Sequence, residues 1–514
     1  MITAGISRRL FGYAAALVLL LISGLNTNAV AGKWTITPNV SVTGTYTDNA
    51  SLVGPPTGGT FVTQVAPGIH IAGGGARFTG NLDYSANAVV YSNNVAGNTI
   101  YNTLNARGTL EAVENFFYVD VFGNVGQTFI SPFAPRPSNL YSLTTNRAEA
   151  RTYGISPYVR GQVGNAFSYR LRYADTWTNS NSSALFNQQT SEWTGRAESP
   201  IRLFGWAFDY DDSTITYNNY SAGSQISKLY RGTLYYQPDV TLRLSAVGGW
   251  EENNYSLETR SNSIYGGGVV WKPTPLTSAE YHYEHRYFGP SRLASLQHRS
   301  RLTAWTLTYS KNATTNQQAL LTLPPGNVAA LLDTIFTANI PDPVARQAAV
   351  AQFLQASGIP QFLSSSISFY TQQVFLQERL DASVAILGKR SSVILDAFRT
   401  KSQALTSNFN SAAPDAFSLA QGSAITQHGF GISANRNITG STSLGASAIR
   451  TYARQDVPAT VDSRNDSFTV SLNKTLSPKT TTFAGLNYSR FTSDSTTSSS
   501  GNSRSVFVGL NHSF

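Results

Sequence analysis

Polar and apolar side chains alternate along many short segments of this chain. In residues 167–173 (FSYRLRY), aromatic and aliphatic side chains take the odd positions, while Arg170 and Arg172 take even ones. Residues 240–250 repeat the pattern, with apolar side chains at even positions and Arg243 at an odd one. A strand of about ten residues with one apolar and one polar face is the unit of a transmembrane β-barrel, since one face meets lipid and the other meets the lumen. The alternation therefore predicts an all-β fold, an antiparallel transmembrane barrel whose arginines face inward.

The first 31 residues are organised like a secretory signal peptide. Arg8 and Arg9 precede an apolar run at residues 10–22, and the small residues Ala29 and Ala31 follow. This run is shorter than the roughly 20 residues that a membrane-spanning helix needs, which argues against the alternative of a permanent anchor. We predict cleavage after Ala31, so that residues 1–31 are removed and 32–514 form the mature chain.

The composition excludes several other classes of protein. Only 13% of the residues are charged, against about 25% in ordinary soluble domains, and no later apolar stretch is long enough for a membrane helix. The chain has no cysteine, so disulfides and thiolate metal sites are excluded. Its net charge is +9, yet the arginines are dispersed among apolar residues, which is a poor match to nucleic-acid binding.

The last eleven residues, 504–514, form one more alternating segment. Val506, Val508, Leu510, His512 and Phe514 share one face, and an aromatic residue ends the row. This segment resembles the C-terminal signature strand of bacterial outer-membrane proteins, which the barrel-assembly machinery is thought to recognise. The resemblance marks Phe514 as an assembly signal and predicts a location in the outer membrane. The alternative is an ordinary edge strand of a soluble β-sandwich.

The turns between these segments set the number of strands. Short connections such as 73–75, 113–115 and 237–239 should all face the periplasm, and the longer polar loops should face the outside. Reading 290–310 as one strand gives about 21 strands and moves the later short turns to the wrong side. Splitting it at 298–300 gives about 22 and restores one side for all short turns, with roughly 18 to 24 strands compatible with the pattern.

One internal segment has a helical period instead. Between residues 311 and 370, Val328, Leu331 and Leu332 begin an i, i+3, i+4 pattern, and Asp342 is a good N-cap for a second helix that stops at Gly358. We predict a two-helix insertion at 311–370 between the two parts of the barrel, 32–310 and 371–514. It would plug or gate the lumen; the alternative is a small helical hairpin outside the barrel.

Arginines on the polar faces of strands predict a positive lumen that favours anionic solutes. The alternative is that each arginine pairs with a neighbouring carboxylate, such as Glu251 or Glu284. The predicted lumen-facing contacts to a substrate are Arg170, Arg172, Arg202, Arg243, Glu284 and Arg286.

The segment 282–286 (HYEHR) is the densest cluster of ionisable groups. In a strand His282, Glu284 and Arg286 share a face while His285 points the other way, so three metal ligands do not converge. We expect no metal site, no cofactor and no catalytic residue, and the chain has no nucleophile motif. Trp34, Tyr46, Trp177, Trp250 and Trp271 are predicted to belong to the interfacial aromatic girdles.

Three landmarks carry a resemblance to a known family. They are residues 34–38 (WTITP) running to 46–49 (YTDN), residues 340–346 (IPDPVAR) leading to 358–360 (GIP), and residues 369–370 (FY) leading through 378–380 (ERL) to 387–390 (LGKR). Together they resemble the outer-membrane barrel proteins associated with exopolysaccharide loci and PEP-CTERM sorting systems. The likeness covers essentially the whole mature chain.

What this resemblance implies is a place in exopolysaccharide export or assembly, by association. The preferred hypothesis is a pore or conduit for exopolysaccharide. The alternative is a non-transporting anchor or docking protein for polysaccharide or sorted surface proteins. The expected partners are outer-membrane lipid and lipopolysaccharide, the barrel-assembly machinery, exopolysaccharide and its export proteins.

Overall fold

The computed structural model describes most of the chain from residue 33 onward. The described residues are 33–52, 54, 58–92, 96–182, 187–218, 224–255, 260–315, 318, 328–337, 340, 346, 349–350, 374–405, 424–456, 460–494 and 500–514. The predicted signal peptide, 1–31, and most of the predicted second helix, 342–358, lie outside these ranges.

Within the described residues the chain forms 22 β-strands and one helix of defined bounds, and residues 318, 346, 349 and 350 are also helical. The strands, β1 to β22 in chain order, are Lys33–Thr47, Thr60–Gly74, Phe78–Tyr91, Thr99–Val113, Phe117–Phe129, Arg147–Val163, Phe167–Ser180, Gln188–Glu198, Phe204–Tyr217, Gln225–Tyr236, Leu242–Asn253, Arg260–Thr274, Thr277–Arg286, Gly289–Arg299, Thr303–Thr314, Phe375–Leu387, Ser391–Ala404, Ala424–Asn437, Thr442–Gln455, Val461–Ser477, Thr480–Ser493 and Gly501–Ser513. The helix, α1, is Val328–Phe336.

The strands form one closed antiparallel barrel. Each strand pairs with the next along the chain, and β1 pairs with β22 from Asn39↔Ser513 to Thr47↔Ser505. The prediction of an outer-membrane barrel of about 22 strands is confirmed. The predicted split near residues 298–300 is also present, since β14 ends at Arg299 and β15 begins at Thr303.

Each strand separates an apolar outer face from a lumen face, as β17 illustrates. Leu395 is 39% exposed on the outer face, whereas its neighbour Ile394 is fully buried on the lumen face. Exposed aromatic residues also lie near the strand ends, among them Trp34 and Trp271 at one end and Tyr46 and Trp250 at the other. This outer surface is suited to lipid with an aromatic belt at each interface, and the barrel spans the outer membrane.

The two rims of the barrel differ in the length of their connections. The turns after β2, β4, β6, β8, β10, β12, β14, β16, β18 and β20 have two to five residues and lie at one end, the inner rim, together with Lys33 and Phe514. The longer connections lie at the other end, the outer rim, where the two-residue turn between β13 and β14 and the five-residue turn between β19 and β20 are exceptions. Short turns face the periplasm in such barrels, which places the outer rim outside the cell. Among the described residues, no helix is long and apolar enough to cross a membrane.

The connection between β5 and β6, residues 130–146, is held together by its own polar contacts; we call it the crossing loop. The Asn146 side chain accepts a hydrogen bond from the Ser131 amide at 2.7 Å and donates to the Ser131 carbonyl at 2.9 Å. Arg147 donates to three carbonyl oxygens, of Asn139, Leu140 and Ser142. These bonds satisfy backbone groups that an irregular buried segment would otherwise leave unpaired.

The crossing loop spans the lumen below the outer rim. Phe133 packs with Phe375 of β16, Ile425 of β18 and Ala453 of β19. Since β16 is eleven strands from β5 in this barrel of 22, the loop reaches the opposite wall. Arg136 donates to the Thr451 hydroxyl of β19 at 3.1 Å, and burial lowers its pKa to about 10. Farther along, the Tyr141 hydroxyl lies 2.6 Å from that of Ser505 on β22. All these wall residues are on lumen faces, so the loop lies inside the barrel.

Helix α1 also lies inside the barrel, near the inner rim. Its apolar residues Val328, Leu331 and Leu332 are buried against Ala304, Ala385 and Ile394, which are lumen residues of β15, β16 and β17 close to their short turns. The insertion nevertheless begins and ends at the outer rim, after Thr314 and before Phe375. Each boundary lies four residues farther along the chain than predicted. The described helix therefore occupies the lumen, at the end opposite to the crossing loop.

The terminal strand generates a prediction about assembly. Phe514 is 62% exposed on the outer face at the inner rim, where its amide donates to the Pro38 carbonyl at 2.9 Å. Because Phe514 is the predicted assembly signal and its side chain is largely unpacked, we expect Phe514→Ala to lower the amount of barrel assembled in the outer membrane severalfold. The amount of heat-modifiable protein in electrophoresis of membranes measures this.

Ile438→Ala is the matched control, because Ile438 is similarly exposed in a turn at the same rim. Equal losses for the two variants would contradict a role of Phe514 as an assembly signal.

Candidate functional site

A row of charged side chains crosses the lumen face of five adjacent strands, β6 to β10. Direct cross-strand pairing places Arg160 opposite Arg170, Arg170 opposite Arg196, Arg196 opposite Asp209 and Asp209 opposite Arg231. We call these five residues the arginine row. Like charges directly opposite one another are destabilising in a sheet, and four of the five members are cations. The row is thus a positive stripe that an anion would stabilise.

Two carboxylates neutralise one end of the arginine row. Arg196 lies 2.9 Å from Asp209 and 2.7 Å from Glu198, and Arg231 lies 3.5 Å from Asp209. Among the described residues, no carboxylate lies within 4.0 Å of Arg160 or Arg170. Arg160 is joined to Glu111 through the Tyr118 hydroxyl, which accepts from Arg160 at 2.8 Å and donates to Glu111 at 2.9 Å. The uncompensated charge is therefore concentrated on Arg170.

Tyrosine rings support the arginines of β6 and β7. Tyr118 and Tyr158 are buried and stacked with their centroids 5.1 Å apart. The guanidinium of Arg160 lies 4.2 Å from the Tyr118 centroid, and that of Arg170 lies 4.8 Å from the Tyr158 centroid. Arg172 lies farther from Tyr158, at 5.6 Å, and forms an ion pair with Asp120 at 3.2 Å. The rings hold Arg160 and Arg170 at the lumen surface by cation–π contact, with both side chains exposed to the lumen.

Beyond Arg231 the charges continue as a chain of ion pairs. Arg231 reaches Glu284 on β13 at 2.9 Å, and Arg286 pairs with Glu251 at 2.7 Å. Between β10 and β13, the strands β11 and β12 carry the glycines Gly249 and Gly266 on the lumen face. A Cβ on Gly249 would lie 2.3 Å from the Tyr230 carbonyl oxygen, and one on Gly266 would lie 2.0 Å from that of Tyr283. A side chain at either position would collide with the backbone of the neighbouring strand.

The ion pairs border a cavity of about 410 Å³. Its lining includes Arg196, Arg231, Tyr235, His282, Glu284 and Arg286. His282 and Glu284 face the lumen as predicted, while His285 faces outward and stacks on Tyr265 at 5.0 Å. The described residues contain no group of three or more side chains that could hold a metal ion. The arrangement can bind a solute through charge and hydrogen bonds.

Five of the six predicted lumen residues lie on the lumen face. Arg170 belongs to the arginine row; Arg172, Glu284 and Arg286 are in ion pairs; and Arg243 stacks on Tyr235 at 5.5 Å near the inner rim. For Arg172 and Arg286, pairing with a carboxylate is therefore the better interpretation. Contact of any of these residues with a substrate stays a prediction.

The predicted lumen position of Arg202 is wrong. This residue lies in the turn between β8 and β9, exposed at the inner rim. Pro200 has no amide hydrogen to donate, which ends the pairing of β8, and β9 begins only at Phe204.

Sequence reasoning missed Arg160, Arg196, Asp209 and Arg231 as parts of the site. Asp209 lies in an alternating segment, so its face could be read from the sequence. Its position opposite Arg196 and Arg231 follows only from the register of three strands. The clustered glycines at 248–249 and 266–268 were the one further signal of a close contact there.

Comparisons with known proteins add little beyond the fold. No family model and no curated protein matches the chain. A mutant ferric enterobactin receptor of Pseudomonas aeruginosa is 9% identical, with a TM-score of 0.46 over 95% of this chain and 82% of that chain. The FrpB iron transporter of Neisseria meningitidis is 9% identical, with a TM-score of 0.41 over 96% and 82%. A loop-deletion mutant of the outer-membrane protein OmpT of Vibrio cholerae is 8% identical, with a TM-score of 0.32 over 94% and 100%. Likenesses this weak carry no argument about function.

The site predicts opposite effects for two of its arginines on stability. Arg231→Gln should lower the free energy of unfolding by about 1–2 kcal/mol, because it removes the cation that Asp209 and Glu284 share. The expected loss is smaller than for a fully buried ion pair, since the Arg231 side chain is 31% exposed. Arg170→Gln should leave the stability unchanged or raise it by about 0.2–1 kcal/mol, because it removes a like-charge contact. Urea unfolding in lipid vesicles, followed by tryptophan fluorescence, measures both.

Adding Glu284→Gln to Arg231→Gln should recover part of the loss, because without Arg231 the Glu284 carboxylate keeps only its 3.9 Å contact with Arg286. A stability loss for Arg170→Gln as large as for Arg231→Gln would contradict electrostatic repulsion between the arginines of the row.

Proposed function

We propose that this barrel is a gated conduit for an acidic exopolysaccharide across the outer membrane. The observation that carries the proposal is the arginine row, in which adjacent cations face the lumen on a tyrosine support. Guanidinium groups bind carboxylates through paired hydrogen bonds, and a series of them offers successive contacts to a polymer with regularly spaced acidic groups. The family resemblance of the sequence supports exopolysaccharide as the solute.

The proposed gate consists of the crossing loop near the outer rim and α1 near the inner rim. The two segments approach from different parts of the wall, and each packs on lumen residues. A polymer moving through the barrel would have to displace both or pass beside them along β6 to β13. The gate would thus keep the pore closed to small solutes while no polymer is in transit.

A docking function is the second candidate. The crossing loop and α1 favour this function, because a lumen occupied at both ends suits a barrel that holds polysaccharide at the surface without transporting it. Single-channel conductance separates the two candidates. A conduit should conduct after its gate is removed, and a docking barrel should stay closed.

The conductance prediction uses two deletions. Replacing residues 132–144 by a short Gly/Ser linker should raise single-channel conductance in planar bilayers severalfold, and combining it with deletion of 320–362 should raise it further. Both deletions keep every wall strand. Conductance unchanged in the double deletion would contradict the gate.

The transport prediction is tested in bacterial cells that lack the protein. A strain lacking the protein should accumulate polysaccharide in the periplasm and secrete less of it. Complementation with Arg170→Gln should restore secretion only in part, because the variant removes a central cation of the row. Arg202→Gln should restore it fully, since Arg202 lies outside the lumen. Normal secretion by the strain lacking the protein would overturn the conduit, and retained polysaccharide at the cell surface would then be scored for docking.

A further inference from the structure

The outer face of β14 to β17 carries a group of cations just below the outer rim. Direct pairing aligns Arg292 with Lys311, Lys311 with Glu378, and Glu378 with Lys401 across four neighbouring strands. Arg399 lies two positions deeper on β17. We call Arg292, Lys311, Arg399 and Lys401 the basic patch.

The basic patch lies on the same face as the lipid-contacting residues. On β15 the outward positions continue from Trp305 and Leu307 to Lys311, and on β17 they continue from Leu395 to Arg399 and Lys401. A cation on this face is costly at the middle of the bilayer and costs little near the interface. The patch therefore lies at the level of the lipid headgroups, with exposed apolar side chains directly beneath it.

The charge of the patch is not neutralised by the described protein residues. Its one acidic neighbour, Glu378, accepts a hydrogen bond from the Tyr309 hydroxyl at 3.1 Å. Among the described residues, no carboxylate lies within 4.0 Å of any of the four cations. Four positive charges and one negative charge thus face the outer leaflet within a few strand widths.

Another part of the barrel wall, β9 to β11, differs. On the outer face of β9 to β11, at a similar depth below the outer rim, Lys228 is paired in register with Asp212 on one side and with Glu252 on the other. That row carries one cation between two carboxylates, so it lacks the excess of cations that the basic patch has.

We propose that the basic patch binds a phosphorylated glycolipid of the outer leaflet, with its phosphate groups on the four cations and its acyl chains along Leu307, Leu380 and Leu395. Phosphate is the acidic group that Lys and Arg bind most readily at a headgroup, and the apolar band below the cations selects an amphiphile over a soluble anion. This site faces lipid and does not depend on the conduit.

The test is native mass spectrometry of the detergent-solubilised full barrel titrated with diphosphoryl lipid A. The wild type should retain bound lipid, and R399Q/K401Q should lower the bound fraction at least fivefold, because both side chains are exposed and carry half of the charge. K228Q is the matched control and should leave binding unchanged. Heat modifiability in electrophoresis confirms that each variant is folded.

Three further probes give the specificity. Monophosphoryl lipid A should bind more weakly than the diphosphoryl form, and phosphatidylglycerol more weakly still. Inorganic phosphate should not compete at millimolar concentration. Equal binding by R399Q/K401Q and the wild type, an equal loss in K228Q, or full competition by inorganic phosphate would each overturn the proposal.

Discussion

Closure of the sheet is the constraint on which the rest of this structure depends. Inside a bilayer each unpaired backbone N–H or C=O costs several kcal/mol, so a sheet that spans it can have no free edge. Pairing of β1 with β22 removes both edges and brings Lys33 and Phe514 to the same rim. An even number of antiparallel strands follows, and with it the separation of short turns from long loops. The period of two then assigns every side chain to lipid or to lumen.

A barrel of 22 strands is too wide for side chains alone to fill, and this determines what lies inside. The crossing loop extends to the opposite wall, and its carbonyls are satisfied by Asn146 and Arg147 because no regular sheet is available to it. Helix α1 occupies the other end with an apolar face on small lumen residues such as Ala304 and Ala385. The remaining wall, β6 to β13, can carry charge because it faces the water-accessible part of the lumen.

Much of the fold could be predicted because the alternation is local. The faces of Arg170, Arg172 and Glu284 follow from their immediate neighbours, and the parity of the turns was enough to divide 290–310 into two strands. The same reasoning failed for Arg202, where Pro200 ended one strand before the next began. Sequence reasoning also could not distinguish arginines in ion pairs from arginines without a carboxylate partner. The partner of Arg172, for example, is Asp120, which lies two strands away in the sheet.

The sequence by itself determined the class of fold, an approximate strand number and the lumen face of charges such as Arg170 and Glu284, because each of these depends on spacing along the chain. The tertiary structure alone decided that Arg160, Arg170 and Arg196 form one row, and that Arg292 and Lys401 share one patch on the outside. It also decided that the 130–146 connection enters the lumen. These are matters of register between strands far apart in sequence, and register is fixed by pairing across the whole closed sheet.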